Sequence, residues 1–281
     1  MVLRMKYEWE VFCMLLCMDI GNSSISCGVF ADGVMTAHFK IASRQASAEE
    51  YYLLLHQFFV LYRIPHRFPE TKCMEDACVH DVVISSVVPA LTPILAHSAF
   101  MLTNKNPMQI MQGIRTGFGI QLQNPAEVGA DIISNVAAAF SYVEPPFVVL
   151  DVGTATTIAF VNETRALVGI AILPGLSVSM EALFHSAALL GEVSLERPAE
   201  WLGKNTSESV RSGVLNGHIL AVDGFVRNIR EEYLSKSQKL GLCATGGLAE
   251  YILPHCRNRF TYVRDLTLEG ERQLWILNHT K

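Results

Sequence analysis

The sequence is short of charge and of several patterns that mark large functional classes. Only 17% of its 281 residues are charged while 50% are hydrophobic, the reverse of the composition that keeps chains disordered. The formal charge of −5, from 22 basic and 27 acidic residues, comes without a Lys/Arg cluster. No electrostatic footprint therefore invites a phosphate backbone or an anionic lipid surface, and neither nucleic acid nor a membrane is an expected partner. No stretch approaches the ~20 uninterrupted apolar residues of a bilayer span. The cysteines, Cys13, Cys17, Cys27, Cys73, Cys78, Cys243 and Cys256, are odd in number and contain no C-x-x-C pair. They encode neither a disulfide framework nor a zinc site, and reduced cytoplasm is the economical setting. G-x-x-x-x-G-K-[S/T] and G-x-G-x-x-G are both missing, so P-loop and dinucleotide-binding readings lose their main support. At the N-terminus Arg4 and Lys6 precede the apolar run Val11 to Met18, but Glu8 and Glu10 intervene and the run ends on Asp19 with no small-residue cleavage site. That suits a buried strand better than a signal peptide, and residues 1–13 read as an extension or the product of an upstream start codon.

What the sequence does contain is a repeat. LLCMDIGNSSISCGVF, from Leu15 to Phe30, and VVLDVGTATTIAFV, from Val148 to Val161, share an order: apolar strand, Asp, apolar residue, Gly, a run of small residues and a second apolar strand. Asp19 and Asp151 lie close to half a chain apart, which suggests a duplicated domain. After the first copy the pattern predicts a strand over Val34–Ile41 and a helix from Ser47 to Tyr62. Ser47 and Glu50 form a capping-box pattern there, and Tyr51, Leu54, Leu55, Phe58, Phe59 and Tyr62 lie on one face. A polar loop over 66–81, a buried strand Val82–Val88, and a further helix and strand to about Gln112 follow. Asp131 opens another helix, with Ile133, Val136, Ala137 and Phe140 on one face. Pro145 and Pro146 end it and mark a domain boundary. The second half repeats the order: strands to about Leu173, a helix over Val178–Leu190, a long helix from Thr206 to about Leu234 capped by Asn205 and Glu208, and a strand-turn-helix at LCATGGLAEYI. The expected fold is α/β, with duplicated domains over 14–145 and 146–281, mixed sheets flanked by helices, and a nucleotide cleft between them.

A strand that turns at Asp-x-Gly into small hydroxyl or amide residues presents backbone N–H groups to an anion without a blocking side chain. One copy alone reads equally well as an ordinary hairpin turn. Two copies half a chain apart fit a grip on a chain of phosphates. Asp19 and Asp151 suit hard cations or their hydration water. Asp131, in GADIISN after Gly129 and Ala130, is either a helix N-cap worth about 1 kcal/mol or a carboxylate aimed at a substrate hydroxyl, as in many kinases. Gly246 and Gly247 in ATGGLAEY form either a tight strand-helix turn or bare backbone for a nucleoside. His185 and His218 read as ordinary helix residues, and His255-Cys256 has no metal spacing.

The order DIGNSS, ISSVVP, NPAEVGAD, DVGTATT, PGLSVSMEAL, GKNT, TGGLAE resembles the type III pantothenate kinases, members of the acetate-kinase, sugar-kinase and actin superfamily with duplicated ribonuclease-H-like domains. The resemblance runs from about Met14 to beyond Thr267. It implies ATP-dependent phosphorylation of pantothenate to 4′-phosphopantothenate, the first step of coenzyme A biosynthesis, with Mg2+ and a monovalent cation, K+ or NH4+, in a homodimer. Asp19, Gly21, Asn22 and Ser23 would form the first phosphate hairpin, with Ser23 where the family usually has Thr. Gly153, Thr154, Ala155 and Thr156 would form the second, Asp151 would ligate the monovalent cation, and Gly246 and Gly247 would border the nucleoside. Asp131 matches the catalytic base, and Gly129, Ala130 and Thr206 match the pantothenate pocket. Two pocket positions depart from the family: Ile132 stands where an Arg contacts pantothenate, and Leu122 where many members carry Tyr. Losing the Arg contact corresponds to ~1.5–3 kcal/mol, or roughly 10- to 100-fold in affinity. Arg115 is a candidate substitute by sequence proximity. Two further readings stand beside the kinase: a nucleotide-binding regulatory or accessory protein of the same fold, and a kinase for a different small alcohol.

Overall fold

The computed structural model describes residues 14–64, 79–186, 195–196, 200–235 and 237–280. Compactness divides the chain after Ile110, and each unit is built on one mixed sheet.

The first unit contains β1 (Met14–Ile20), β2 (Ser24–Ala31), β3 (Val34–Ala42), α1 (Ala48–Leu61), β4 (Val79–Ser86), α2 (Thr92–Thr103) and β5 (Met108–Gln109). Its strands lie in the order β3-β2-β1-β4-β5, antiparallel among the first three and parallel from β1 onward. β1 is central and covered on both faces, so Leu15 to Met18 are all buried. Ser47 and Glu50 make the expected capping box at the start of α1. Tyr51, Leu55 and Phe59, one per turn, pack with Leu95, Ala99 and Leu102 of α2 in the core of this unit. Tyr62, expected on the same apolar face, is exposed. The predicted loop over 66–81 lies mostly outside the described residues, and β4 already begins at Val79.

The second unit contains β6 (Gly119–Ile120), α3 (Ala130–Ala139), β7 (Phe147–Val152), β8 (Ala155–Val161), β9 (Ala166–Pro174), α4 (Leu176–Ser186), α5 (Thr206–Arg211), α6 (Gly217–Tyr233), β10 (Gly241–Thr245), β11 (Thr261–Tyr262) and α7 (Leu266–His279). The sheet order is β11-β10-β7-β8-β9-β6. Apart from the added β6 it repeats the first sheet element for element: a three-stranded antiparallel meander, then two parallel strands on the side of the first strand. This is the duplicated ribonuclease-H-like fold, and β1–β2 and β7–β8 are its equivalent hairpins.

Residues 111–145, which the prolines assign to the first half, pack with the second unit. β6 pairs with β9 in parallel at Gly119↔Ala166, and α3 lies along α7, where a Cβ on Gly270 would stand 1.9 Å from the Ser134 carbonyl oxygen. Two other elements differ from expectation. The single long helix from Thr206 is broken by a π-helical turn, Ser212–Asn216, between α5 and α6. After β10 the chain makes short 3-10 turns at Ala249–Tyr251 and Leu253–His255 instead of an α-helix. Pro254 so near the turn favours that outcome. The predicted helix end at Leu190 lies outside the described residues. Among the described residues no helix is long and apolar enough to cross a membrane, and the described cysteines Cys17, Cys27, Cys243 and Cys256 are buried thiols.

Candidate functional site

In the first hairpin the turn is closed by Gly21 N donating to Ser24 O at 3.0 Å, leaving Asn22 and Ser23 exposed at the tip. Ser43, after β3, supports the tip: its hydroxyl donates to Gly21 O at 2.6 Å and its backbone N–H to Ser23 O at 3.1 Å. Val87 N donates to Ile20 O from the other side. The second hairpin closes one residue sooner, with Gly153 N donating to Ala155 O at 3.0 Å and Thr154 and Ala155 exposed. Its support comes from the equivalent place, the residue after the third strand. Gly175 N donates to Thr154 O at 3.0 Å, and a Cβ on Gly175 would lie 2.3 Å from Gly153 O. Gly246, at φ +97, abuts Val152, where a Cβ would sit 2.4 Å from the carbonyl oxygen. Only glycine serves at either position. Gly247, by contrast, has nothing within 4 Å of its notional Cβ, so its backbone faces open space.

The two hairpin aspartates occupy equivalent places. Asp19 lies opposite Ser26 on β2 and beside Ser85 on β4. Asp151 lies opposite Thr157 on β8 and beside Thr245 on β10. In-register neighbours share a sheet face, so each carboxylate is flanked by hydroxyl side chains on both adjoining strands. These rows were not read from the sequence, because register is invisible until the strands are paired. Asp151 is further held by Asn135 Nδ2, which donates to its Oδ2 at 3.0 Å, while Thr267 Oγ1 donates to Asn135 Oδ1 at 2.9 Å. The chain Thr267–Asn135–Asp151 thus ties α7 and α3 to the end of β7. Its sequence signal was the D-x-x-x-N spacing of Asp131 and Asn135, one turn apart on α3. Among the described residues no three His, Cys, Asp or Glu side chains converge as a metal site.

Asp131 is not the N-cap of α3. Gly129 holds that position and Asp131 is the second helical residue. Its carboxylate is half-buried and accepts from the Ile132 N–H at 2.8 Å, and desolvation raises its pKa above the ordinary aspartate range against the lowering effect of the backbone N–H groups. A carboxylate with a raised pKa at an apolar helix start is a stronger proton acceptor than a solvated one. Ala130, beside it, is buried.

Ile132 is 6% exposed and packs with Val136, Phe147, Val149, Leu167 and Leu266, and Leu122 lies against the same cluster. Ile132 is thus held in the interior of the second unit, with the half-buried Leu122 packed over it. Arg115 is committed elsewhere: its guanidinium donates to the carbonyls of Leu277 and Thr280, and its backbone exchanges hydrogen bonds with the Asn278 side chain. It closes the C-terminal end of α7, where unsatisfied carbonyls attract a cation. Thr206 is exposed at the first position of α5, behind the expected cap in which Asn205 Oδ1 accepts from Glu208 N at 2.9 Å. Thr156 is fully buried, with its hydroxyl 3.1 Å from His218 Nε2.

The family model for type III pantothenate kinases matches residues 15–228. A type III pantothenate kinase of Moorella thermoacetica is 37% identical over 268 residues, covering 94% of this chain and 100% of its own. One from Citrifermentans bemidjiense is 36% identical over 266 residues, with the same coverage. Among solved structures, the ethanolamine utilization protein EutJ of Carboxydothermus hydrogenoformans superposes with a TM-score of 0.52 at 14% identity, covering 92% of this chain and 89% of that one. The activator of the 2-hydroxyisocaproyl-CoA dehydratase from Clostridium difficile, with bound ADPNP, does so with 0.51 at 10%, covering 93% of each. The structural likenesses establish the fold alone. The sequence relatives, matched along nearly their whole length, establish more: the chain belongs to the type III pantothenate kinase family.

Proposed function

We propose that this protein phosphorylates pantothenate on its primary hydroxyl with ATP, giving 4′-phosphopantothenate and ADP at the first step of coenzyme A biosynthesis. The observation that carries the reading is Asp131: a desolvated carboxylate of raised basicity on the helix whose next turn holds Asp151 through Asn135. As general base it takes the hydroxyl proton while the hydroxyl oxygen bonds to the γ-phosphorus and the bond to the β,γ-bridging oxygen breaks, the proton then leaving to solvent. The exposed tips, Asn22–Ser23 in the hairpin that Gly21 closes and Thr154–Ala155 in the one that Gly153 closes and Thr156 anchors, would each offer backbone N–H groups to phosphate, Asp19 would suit the hydrated Mg2+ that accompanies ATP, and the open backbone at Gly247, with Gly246, would border the nucleoside. Asp151 and its flanking hydroxyls Thr157 and Thr245 form an all-oxygen donor set, which suits a hard monovalent ion such as K+ or NH4+ and not a soft transition metal. Gly129, Ala130 and Thr206 line the acceptor. Trp201 and Leu202, exposed by 55% and 82% just ahead of Thr206, support a second copy covering this segment, hence a homodimer, and the reduced cysteines support the cytoplasm.

The apolar, inward-packed Ile132 and Leu122 favour a second reading of the acceptor alone, an alcohol without pantothenate's carboxylate. ADP release by the purified protein with MgATP and K+, with and without pantothenate and beside Asp131→Asn, decides between them. A pantothenate-dependent rate lost in the variant is the expected result. ATP binding without stimulation at millimolar pantothenate overturns pantothenate as the substrate and leaves a different alcohol or a regulatory role.

A further inference from the structure

Thr156 is the second residue of β8, at the base of the second hairpin opposite Val152, and its side chain is buried. It meets His218, which is 8% exposed and is the second residue of α6. The helix reaches that point through the π-helical turn Ser212–Asn216, which is pinned by Ser212 Oγ donating to the Trp201 carbonyl and by Asn216 Nδ2 donating to Ser212 Oγ at 3.2 Å. One residue inserted into an α-helix rotates every following side chain by about 100° about the axis, and such turns recur at functional sites. Here it aims an imidazole at the hairpin from among Val214, Leu215, Ile219 and Val222, which pack in the apolar core of this unit.

We propose that His218 is a positioning residue for ATP: its Nε2 accepts the Thr156 hydroxyl proton and so fixes the start of β8, with the hairpin tip at residues 154 and 155 set for phosphate. The tautomer follows from the surroundings. The Val214 carbonyl, one turn back, engages a ring N–H, and burial keeps the ring neutral. A carbonyl only accepts, so the ring proton stays on its side and Nε2 is left as the acceptor. Thr156 then spends its hydroxyl proton on His218, and its backbone faces β9 opposite Leu173, so phosphate would meet the hairpin at residues 154 and 155. The three supports of the hairpin divide its lengths: Gly175 at Thr154, Gly246 at Val152 and His218 at Thr156.

This inference rests on the reading of Gly153–Thr156 as a phosphate hairpin, and the test separates the two. Thr156→Val, which keeps shape and removes the donor, and His218→Leu are expected to raise KM for MgATP about 5- to 10-fold, with KM for pantothenate unchanged. Thr156→Ser, and His218→Gln, whose amide oxygen can take the place of Nε2, are expected to restore it. The double variant Thr156→Val/His218→Leu should cost little more than either single change. Gly153→Ala serves as the control on the hairpin itself: its Cβ meets nothing closer than 3.6 Å, so it folds, yet it stands where phosphate would approach. A raised KM for MgATP in Gly153→Ala beside unchanged values in Thr156→Val and His218→Leu overturns the role of His218 alone. An unchanged value in Gly153→Ala overturns the hairpin reading. Thermal destabilisation of Thr156→Val without any change in KM would reduce the pair to a packing contact.

Discussion

Gly270 offers a test in which the sign of the effect is already informative. It lies inside α7, where Gly→Ala ordinarily stabilises a helix by about 1 kcal/mol. Here a Cβ would stand 1.9 Å from Ser134 O, 2.4 Å from Ser134 C and 2.8 Å from Ser134 Cα. All of these atoms are backbone of α3, so no side chain can rotate away. Restoring contact near 3 Å requires α3 and α7 to part by about 1 Å, and overpacking of this kind costs about 1–3 kcal/mol. The upper part of the range applies, because two helices packed along their lengths must move together. Subtracting the propensity gain leaves about 2 kcal/mol of destabilisation, or roughly 4–8 °C in Tm for a unit of this size. The same movement displaces Asp131 and the Thr267–Asn135–Asp151 chain. A shift of about 1 Å at a reacting group costs on the order of 100-fold, so kcat should fall by about 10- to 100-fold although Gly270 touches no substrate. Differential scanning fluorimetry and steady-state ADP release measure both effects. A variant as stable as the parent or more so, with kcat intact, would refute the close approach of the two helices.

Asp131→Asn should abolish turnover yet raise Tm at neutral pH. The folded-state pKa of Asp131 is raised by desolvation, so its contribution to stability is present below the unfolded pKa and lost as pH rises through the folded one. The gap in Tm between variant and parent should close on acidification, and a gap independent of pH would refute the desolvation argument. The acid limb of kcat in the parent should correspondingly lie above the ordinary aspartate range. Arg115→Ala should fray the last turn of α7 and cost about 1 kcal/mol, read as faster amide exchange at residues 277–280, while KM for pantothenate stays constant; a raised KM would return Arg115 to the substrate pocket. Burial pushes the Cys243 and Cys256 thiols up to about 12, so neither should be alkylated in the native protein at pH 8, as read by peptide mass mapping.

The hairpins, the helix caps at Ser47 and Asn205 and the repeat were legible in the sequence because each rests on neighbours in the chain. Ser47 and Glu50 are three residues apart, and Asp-x-Gly marks a turn whatever surrounds it. What escaped was whatever depends on partners far along the chain. Asp131 reads from the sequence as either a cap or a carboxylate aimed at a hydroxyl, and only the helix start at Gly129 removes the first of these. His218 looked like one more residue on a regular helix because a π-helical turn leaves no plain sequence mark, and only its rotation brings the ring to Thr156. The prolines at 145 and 146 do interrupt the chain, yet the pairing of β6 with β9 and the packing of α3 on α7 carry residues 111–145 into the second unit.

The repeat also hides an asymmetry that bears on how such a fold is tuned. Both hairpins share topology, a glycine N–H that closes the turn and flanking hydroxyls, although the second turn is one residue shorter. The support differs. Each tip leans on the residue that follows its own meander, Ser43 or Gly175, and each first strand is met at its end by a backbone N–H, from Val87 or Leu248, whereas the second hairpin is also tied to α3 through Asn135 and to α6 through His218. Several of these supports fail under a single substitution, since a Cβ at Gly175 or Gly246 would overlap backbone carbonyl oxygens, while Ser43 lends one hydroxyl and one N–H. A loop held by several independent contacts loses less conformational entropy when it binds a ligand. The ties from α3 and α6 should therefore preorganise the second hairpin, and loosening them, by Asn135→Ala or His218→Leu, should raise KM for MgATP; an unchanged KM in both variants would refute the argument.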